Sequence, residues 1–467
     1  MFADGASLRR VRRAAFVAVV FAVVGLVPAS IGISATPPVG PGPVSVGPTG
    51  RYLVDGNGEP FLVRGDSPQA LVGDLSVADA ELFFADRRAR GFNTVWINLL
   101  CADYTGCRAD GSTWDGVAPF TTAGDLSTPN EQYFARVDQV VRLAGRYGLV
   151  VILDPAETGS WLGTLVANGV DKDRAYGRYL GERYKGFPNI VWMSGNDYQD
   201  WFKPGNDAYV TAVAEGIGET APQQLQTVEL NFDSSGSLDD PAWVPLIKLD
   251  AAYTYAPTYQ QVLTEYNRSS VPVFMVEAVY ESEDIGDHQP GTPLTLRRQA
   301  YWSLLSGATG QLYGNHDTWQ FLCDQRDQAG NCVGGWKDHL DTTGTREFNY
   351  AADLFQSLPW YQLVPDQSHS LLTGGYGSYG DWDYATAAQT PDGSLALVYI
   401  PTARTVTVDL GTMAAPVSAR WYDPAAGTYT DIPGSPLPNQ ASHQFTTPGN
   451  NADGPGNTDW VLVLQSH

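Results

Sequence analysis

The chain has 467 residues, 51 of them acidic and 28 basic, for a formal net charge of −23. An acidic chain with no basic cluster in its body excludes nucleic acid as a partner. Aromatic residues make up 12% against 17% charged, with 13 Trp and 24 Tyr. Exported carbohydrate-active proteins share this composition, because flat rings stack on sugar C–H faces, although most single rings belong to a core.

At the N-terminus, Arg9, Arg10, Arg12 and Arg13 precede an apolar run from Ala14 to Val27, and Ile33-Ser34-Ala35 offers a small-residue cleavage site. Residues 1–35 therefore read as a signal peptide and are set aside from the fold. The run before Pro28 falls short of the about 20 residues that a spanning helix needs. The mature chain is thus expected to be secreted and free of the membrane; the paired arginines leave the export route open.

Residues 36–50, rich in Pro and Gly, read as a linker. A hairpin follows: Arg51–Val54, a turn at Asp55-Gly56-Asn57-Gly58, then Pro60–Val63. The period then changes. Ser76-Val77-Ala78-Asp79 is an acidic capping box opening a helix, with Leu82, Ala85 and Ala89 on one face and Gly91 at the C-terminal cap. Thr94–Leu100 reads as a strand. Phe134, Val137, Val141 and Ala144 stripe a second helix, followed by the aliphatic strand Leu149–Leu153. Tyr176, Leu180 and Tyr184 mark a third, before a strand that ends at Asn196-Asp197. Tyr209, Val210, Val213 and Ile217 mark a fourth, before Thr227–Leu230. Ile247–Tyr253, Val273–Val276 and Gly310–Tyr313 are further strands, the last two separated by a helix around Leu296 to Leu305.

Strands alternating with helices, and apolar on both faces, predict a parallel sheet buried on both sides. Counting from Pro60–Val63 gives the eight strands of an α/β (β/α)8 TIM barrel. A doubly wound open sheet would bring a glycine-rich phosphate turn after its first strand, and there is none. Beyond residue 366 the helical stripes vanish. Leu395–Ile400, Thr405–Leu410, Ala419–Tyr422 and Trp460–Leu464 alternate as strands between Gly, Pro and Asp turns. The expected organisation is a barrel over residues 51–366 and a C-terminal β-sandwich over 367–467.

Two strand tips stand out. Gly195-Asn196-Asp197 closes the fourth strand and Glu277 closes the seventh, facing each other across the barrel mouth. Barrel enzymes place catalytic groups there, and a carboxylate pair is the machinery of glycoside hydrolysis. Asp66, after the first strand, is expected to bind substrate. Asp103 and Asp317 read as caps or turn residues, and Asp154 fits either role. Cys101 with Cys107, and Cys323 with Cys332, are close enough in sequence to form two disulfide staples in an exported chain. No Cys-x-x-Cys spacing occurs and His is scarce, so neither a metal nor a cofactor is expected.

Asn-acid after strand four and Glu after strand seven resemble the clan of retaining (β/α)8 glycosidases. Gly195-Asn196-Asp197-Tyr198 resembles one branch, the apiosidase-like family. So do the hairpin Arg51–Gly56 with Pro60-Phe61, Gly91-Phe92-Asn93-Thr94, Glu277-Ala278-Val279-Tyr280-Glu281, and Ala300-Tyr301-Trp302 with Gly307–Gly310. Trp421-Tyr422-Asp423-Pro424 with Gly427 resembles the collagen-binding-type domain that often follows. The resemblance implies Glu277 as nucleophile, Asp197 as acid/base, and Asn196 on the sugar 2-hydroxyl. It also implies Asp66, Tyr253, His316 and Trp319 as sugar contacts. One departure is Gly65-Asp66-Ser67-Pro68-Gln69, where the family often has Gly-Asp-Thr-x-Trp: an amide stands in for an aromatic platform.

The expected function is a secreted retaining glycosidase acting on plant or microbial polysaccharide. Its sugar would be apiose or another furanose, such as arabinofuranose or galactofuranose. Competing readings are a non-catalytic carbohydrate- or matrix-binding barrel, and a transglycosylase using the same residues. Nothing in the pattern assigns an oligomeric state.

Overall fold

Eight parallel strands form the barrel: β1 Val63–Asp66, β2 Thr94–Asn98, β3 Val150–Asp154, β4 Ile190–Tyr198, β5 Gln226–Leu230, β6 Asp250–Thr254, β7 Val273–Glu277 and β8 Gly310–Tyr313. The computed structural model describes residues 42–466, apart from positions 204, 285, 287, 324 and 327–331 and the side chains of 325, 326, 332 and 333. The expected signal peptide lies outside the described residues. Helices α1 Val77–Ala89, α2 Glu131–Arg146, α3 Thr158–Asn168, α4 Val170–Tyr184, α5 Asp207–Thr220, α6 Thr258–Arg268, α7 Pro293–Leu305 and α8 Thr343–Gln356 cover the outside. The capping expected for α1 is present: the Ser76 hydroxyl accepts the Asp79 N–H at 3.1 Å.

The sheet runs β5-β4-β3-β2-β1-β8-β7-β6, with the short strand Ser234–Ser235 antiparallel to β6. Among the described residues no ladder joins β5 to β6. One buried hydroxyl bridges that seam: Ser237 donates to Val228 O at 2.5 Å and accepts the Ala251 N–H at 2.8 Å. The backbone Lys248 N–H adds a bond to Gln226 O at 3.0 Å.

Three boundaries differ from the sequence reading. Pro60–Val63 serves two structures: Pro60–Phe61 pairs back on Leu53–Val54, and Val63 opens β1. The linker range includes Ser45–Val46, a strand on the other side of Leu53–Val54. Val364–Pro365, assigned to the barrel domain, instead pairs with Ala388 and Gln389 of the C-terminal sheet. Helices α3, α6 and α8 were not expected. In α3 the buried stripe reduces to Thr158, Trp161 and Leu165, and Gly159 and Gly163 interrupt the pattern.

The C-terminal domain is two antiparallel sheets, of six and three strands, as expected for a sandwich. Val398, Leu462 and Ala419 of the larger sheet face Val406, Val408 and Phe445 of the smaller. The other side of the larger sheet lies on the barrel, where Tyr301, Trp302 and Phe355 of α7 and α8 share a core with Tyr399, Val461 and Val463. Tyr301 and Tyr399 stack at 4.9 Å. Within this contact Arg297 of α7 is fully buried. It is bidentate to Asp459 at 2.9 Å, bonds Glu347 of α8 at 2.5 Å and reaches Asp453 at 2.8 Å.

Candidate active site

The end of β4 is shaped by three successive residues with positive φ: Gly195 at 120°, Asn196 at 58° and Asp197 at 54°. A left-handed non-glycine residue costs about 1–2 kcal/mol, so this segment must be held in place. Gly195 is obligatory, because a Cβ there would lie 2.1 Å from Glu229 O. Thr158 at the start of α3 donates to Gly195 O at 2.9 Å, and Glu229 Oε2 accepts the Asp197 N–H at 3.1 Å. The β4–β5 register slips between Ser194 and Tyr198, and the resulting bulge presents Asn196 and Asp197 at the mouth. Strain of this kind gathers at functional sites.

Glu277, the last residue of β7, is buried among donors. Its Oε1 accepts from the Tyr253 hydroxyl at 2.8 Å and the Tyr255 hydroxyl at 3.2 Å. Its Oε2 accepts from Tyr280 at 2.6 Å and Gln69 Nε2 at 3.4 Å. Asn196 Nδ2 in turn donates to Gln69 Oε1 at 2.9 Å, so one amide joins the two strand tips. Asp197 accepts the Tyr104 hydroxyl on Oδ2, while its Oδ1 is buried with no partner. The Tyr253 hydroxyl bonds Glu277 and also favours the charged form of Asp197.

Electrostatically the site is an acidic cluster without a counter-ion. No Arg or Lys among the described residues hydrogen-bonds or ion-pairs with Asp197, Glu277 or Glu229. Burial, then the Asp197 charge, pushes Glu277 up to about 8. Burial raises Asp197 too, opposed by its bond from Tyr104 and by the nearby Tyr253 hydroxyl. Glu229 is held well above the usual carboxylate range by burial and by both neighbours. Three such groups do not all ionise together. Four donors surround Glu277, which suits an anion there, with the protons on Asp197 and Glu229. That distribution removes the repulsive part of the push on Glu277.

The structure brings Asp197, Glu277, Asn196 and Tyr253 together. Trp319 stands next to them, edge-on to Tyr280 at 6.3 Å. His316 lies further out, half exposed, with Nδ1 3.7 Å from Asp317. Asp66 does not reach the mouth: it is fully buried, accepts the Ser67 N–H at 2.8 Å and pairs with buried Arg87 at 3.2 Å. It ties β1 to α1 and has no surface for a sugar to touch. Gln69, Tyr104, Tyr255, Tyr280 and Glu229 were missed as site residues. Glu229 carried a signal, an acid inside the apolar run Thr227–Leu230, and Tyr280 follows Glu277 by one turn. Tyr104 carried none.

Tyr104 lies in a loop closed by the Cys101–Cys107 disulfide, with Cα atoms 5.7 Å apart. Cys323 is also disulfide-bonded, and the side chain of Cys332, its expected partner, lies outside the described residues.

A family model described as the apiosidase-like catalytic domain matches residues 48–362. The chain belongs to the apiosidase-like family. Residues 364–465 match a second model, described as "Putative collagen-binding domain of a collagenase". Among solved structures, one glycoside hydrolase superposes with TM-score 0.79 at 23% identity, covering 91% of this chain and 97% of the other. A glycoside hydrolase family 5 protein from Bacteroides vulgatus superposes with TM-score 0.79 at 21% identity, covering 91% and 94%. At that identity the likeness speaks for the fold. No curated protein matches the chain. As an apiosidase-like protein the chain is a glycoside hydrolase, and it carries a carboxylate at each of the β4 and β7 tips.

Proposed function

We propose that this apiosidase-like enzyme is a secreted retaining glycosidase that releases a furanose, apiose foremost, from plant or microbial polysaccharide. The observation that supports the retaining reading is the close coupling of the β4 and β7 tips: the Asp197 charge acts on Glu277, and Gln69 ties Asn196, beside Asp197, to Glu277 through bonds of 2.9 and 3.4 Å. Retaining pairs stand about 5–5.5 Å apart, closer than inverting pairs, which leave room for a water. Family membership supports apiose, and the signal-like N-terminus supports export.

In the first step Glu277 Oε forms a bond to the anomeric carbon as the glycosidic C–O bond breaks. The leaving oxygen takes the proton of Asp197. In the second step the Asp197 carboxylate removes a proton from water, the water oxygen bonds the anomeric carbon, and the Glu277 ester bond breaks. Both carboxyl groups return to their starting states. Tyr253, Tyr255 and Tyr280 hold the nucleophile, and Asn196, oriented by Gln69, takes the 2-hydroxyl of the bound sugar.

Sugar release by the purified mature chain from apiosides, arabinofuranosides, galactofuranosides and common pyranosides tests this, with NMR of the first-formed anomer. The expected result is release from one furanoside class with retained configuration, abolished in Glu277→Ala. An inverted product, or equal release by the variant, overturns the mechanism.

A further inference from the structure

Past the catalytic bulge the chain exposes aromatic surface. Trp201 and Phe202 follow Asp197 by four and five residues, and Phe202 is 66% exposed. Phe232 follows the end of β5 and is 38% exposed. The two segments are joined: Trp201 Nε1 donates to Asn231 Oδ1 at 2.6 Å, and the Trp201 ring packs edge-on against Phe202 at 6.1 Å. The bond places residues 201–202 beside residues 231–232, on the continuations of the strands that carry Asp197 and Glu229.

A lone exposed ring needs no explanation, but aromatic groups tied together just past the ends of β4 and β5 do. Folding leaves Phe202 in water, so its apolar face contributes nothing to the core. Asp197 protonates the leaving oxygen, so the part of the substrate that departs must lie on the Asp197 side. Resting on the glycosidase reading, we propose that Trp201, Phe202 and Phe232 form a leaving-group subsite that stacks against the C–H face of the sugar ring bearing the leaving oxygen. The occupant is a sugar unit of an oligosaccharide chain. Uncharged aromatic faces and the absence of a basic side chain from this trio set no requirement for an acidic sugar.

The test compares Phe202→Ala and Phe232→Ala with wild type on two substrates of the released sugar. One is its glycosyl fluoride, whose leaving group has no ring; the other is an oligosaccharide that carries the same sugar. Loss of one stacking contact lowers kcat/KM by roughly 5- to 10-fold. The expected result is a loss of that size on the oligosaccharide, mostly through KM, and a several-fold smaller one on the fluoride. Equal losses on both, or none on the oligosaccharide, overturn the subsite while leaving the hydrolase reading intact. A wild type that cleaves neither substrate overturns both.

Discussion

Two of the acidic clusters buried among the described residues are solved in opposite ways. Where the C-terminal domain meets the barrel, Asp459, Glu347 and Asp453 converge on one guanidinium, Arg297. At the barrel mouth, Glu277, Asp197 and Glu229 converge with only hydroxyls, amides and a backbone N–H around them. The first cluster is charge-compensated and bidentate, which is how a buried charge is retained for structure. The second leaves its charge unbalanced, so its protons are shared and movable. A site that lends a proton and takes it back, as proposed for this one, cannot be neutralised by a fixed cation.

The largest contrast should come from deleting one member of each cluster. Glu277→Ala is expected to cut kcat by on the order of 10⁴-fold or more, with a melting temperature equal to or above wild type, because a mutual repulsion is removed. A fall in melting temperature would mean that the mouth is stabilised by its carboxylates after all. Arg297→Met is the mirror experiment. It leaves buried carboxylates uncompensated and should cost about 3–5 kcal/mol in denaturant unfolding, with kcat per folded molecule close to wild type.

A finer probe is Glu229. Glu229→Ala frees the Asp197 N–H and should lower kcat/KM by roughly 10- to 100-fold on glycosides with poor leaving groups, with much less loss on activated aryl glycosides. Glu229→Gln keeps the acceptor and should restore most of the difference. Equal losses on both substrates would reduce Glu229 to a packing residue. The smallest effect is in pH dependence. Asp197, Glu229 and Glu277 are raised together by burial and by one another, so between 4.5 and about 8 the cluster binds more protons in the native state than in the unfolded chain. Stability contributed by the cluster is therefore present below about 4.5 and is lost as pH rises towards 8, with a slope of about 1.4 kcal/mol per pH unit for each proton released. Calorimetry from pH 5 to pH 8 should show this slope in wild type and a flatter one in Glu277→Gln.

The barrel was legible because its strands are aliphatic on both faces and most helices carry a regular stripe. Asp197 and Glu277 were legible because a polar residue ending an apolar run marks a strand tip. What escaped depended on distant pairing. Asp66 looked like a mouth residue by position, yet Arg87, 21 residues on, turns it into a buried ion pair. Gln69 was visible only as a replaced aromatic, and its role as the amide between Asn196 and Glu277 exists only once β1, β4 and β7 are assembled. Tyr104 comes from a loop whose course the Cys101–Cys107 closure helps to set. Its contact with Asp197 crosses 93 residues of chain.

The Arg297 cluster also orders events in time. Its bidentate partner Asp459 lies 162 residues downstream. At ribosomal speeds of about 5–20 residues per second, roughly 8–30 s pass between synthesis of the guanidinium and synthesis of its bidentate partner. Until Asp453 and Asp459 follow, Glu347 is the one carboxylate partner that Arg297 has. The C-terminal domain is thus the last instruction for folding the barrel's flank, and a chain cut short before Asp459 would present a nearly complete barrel to the quality-control machinery as unfinished.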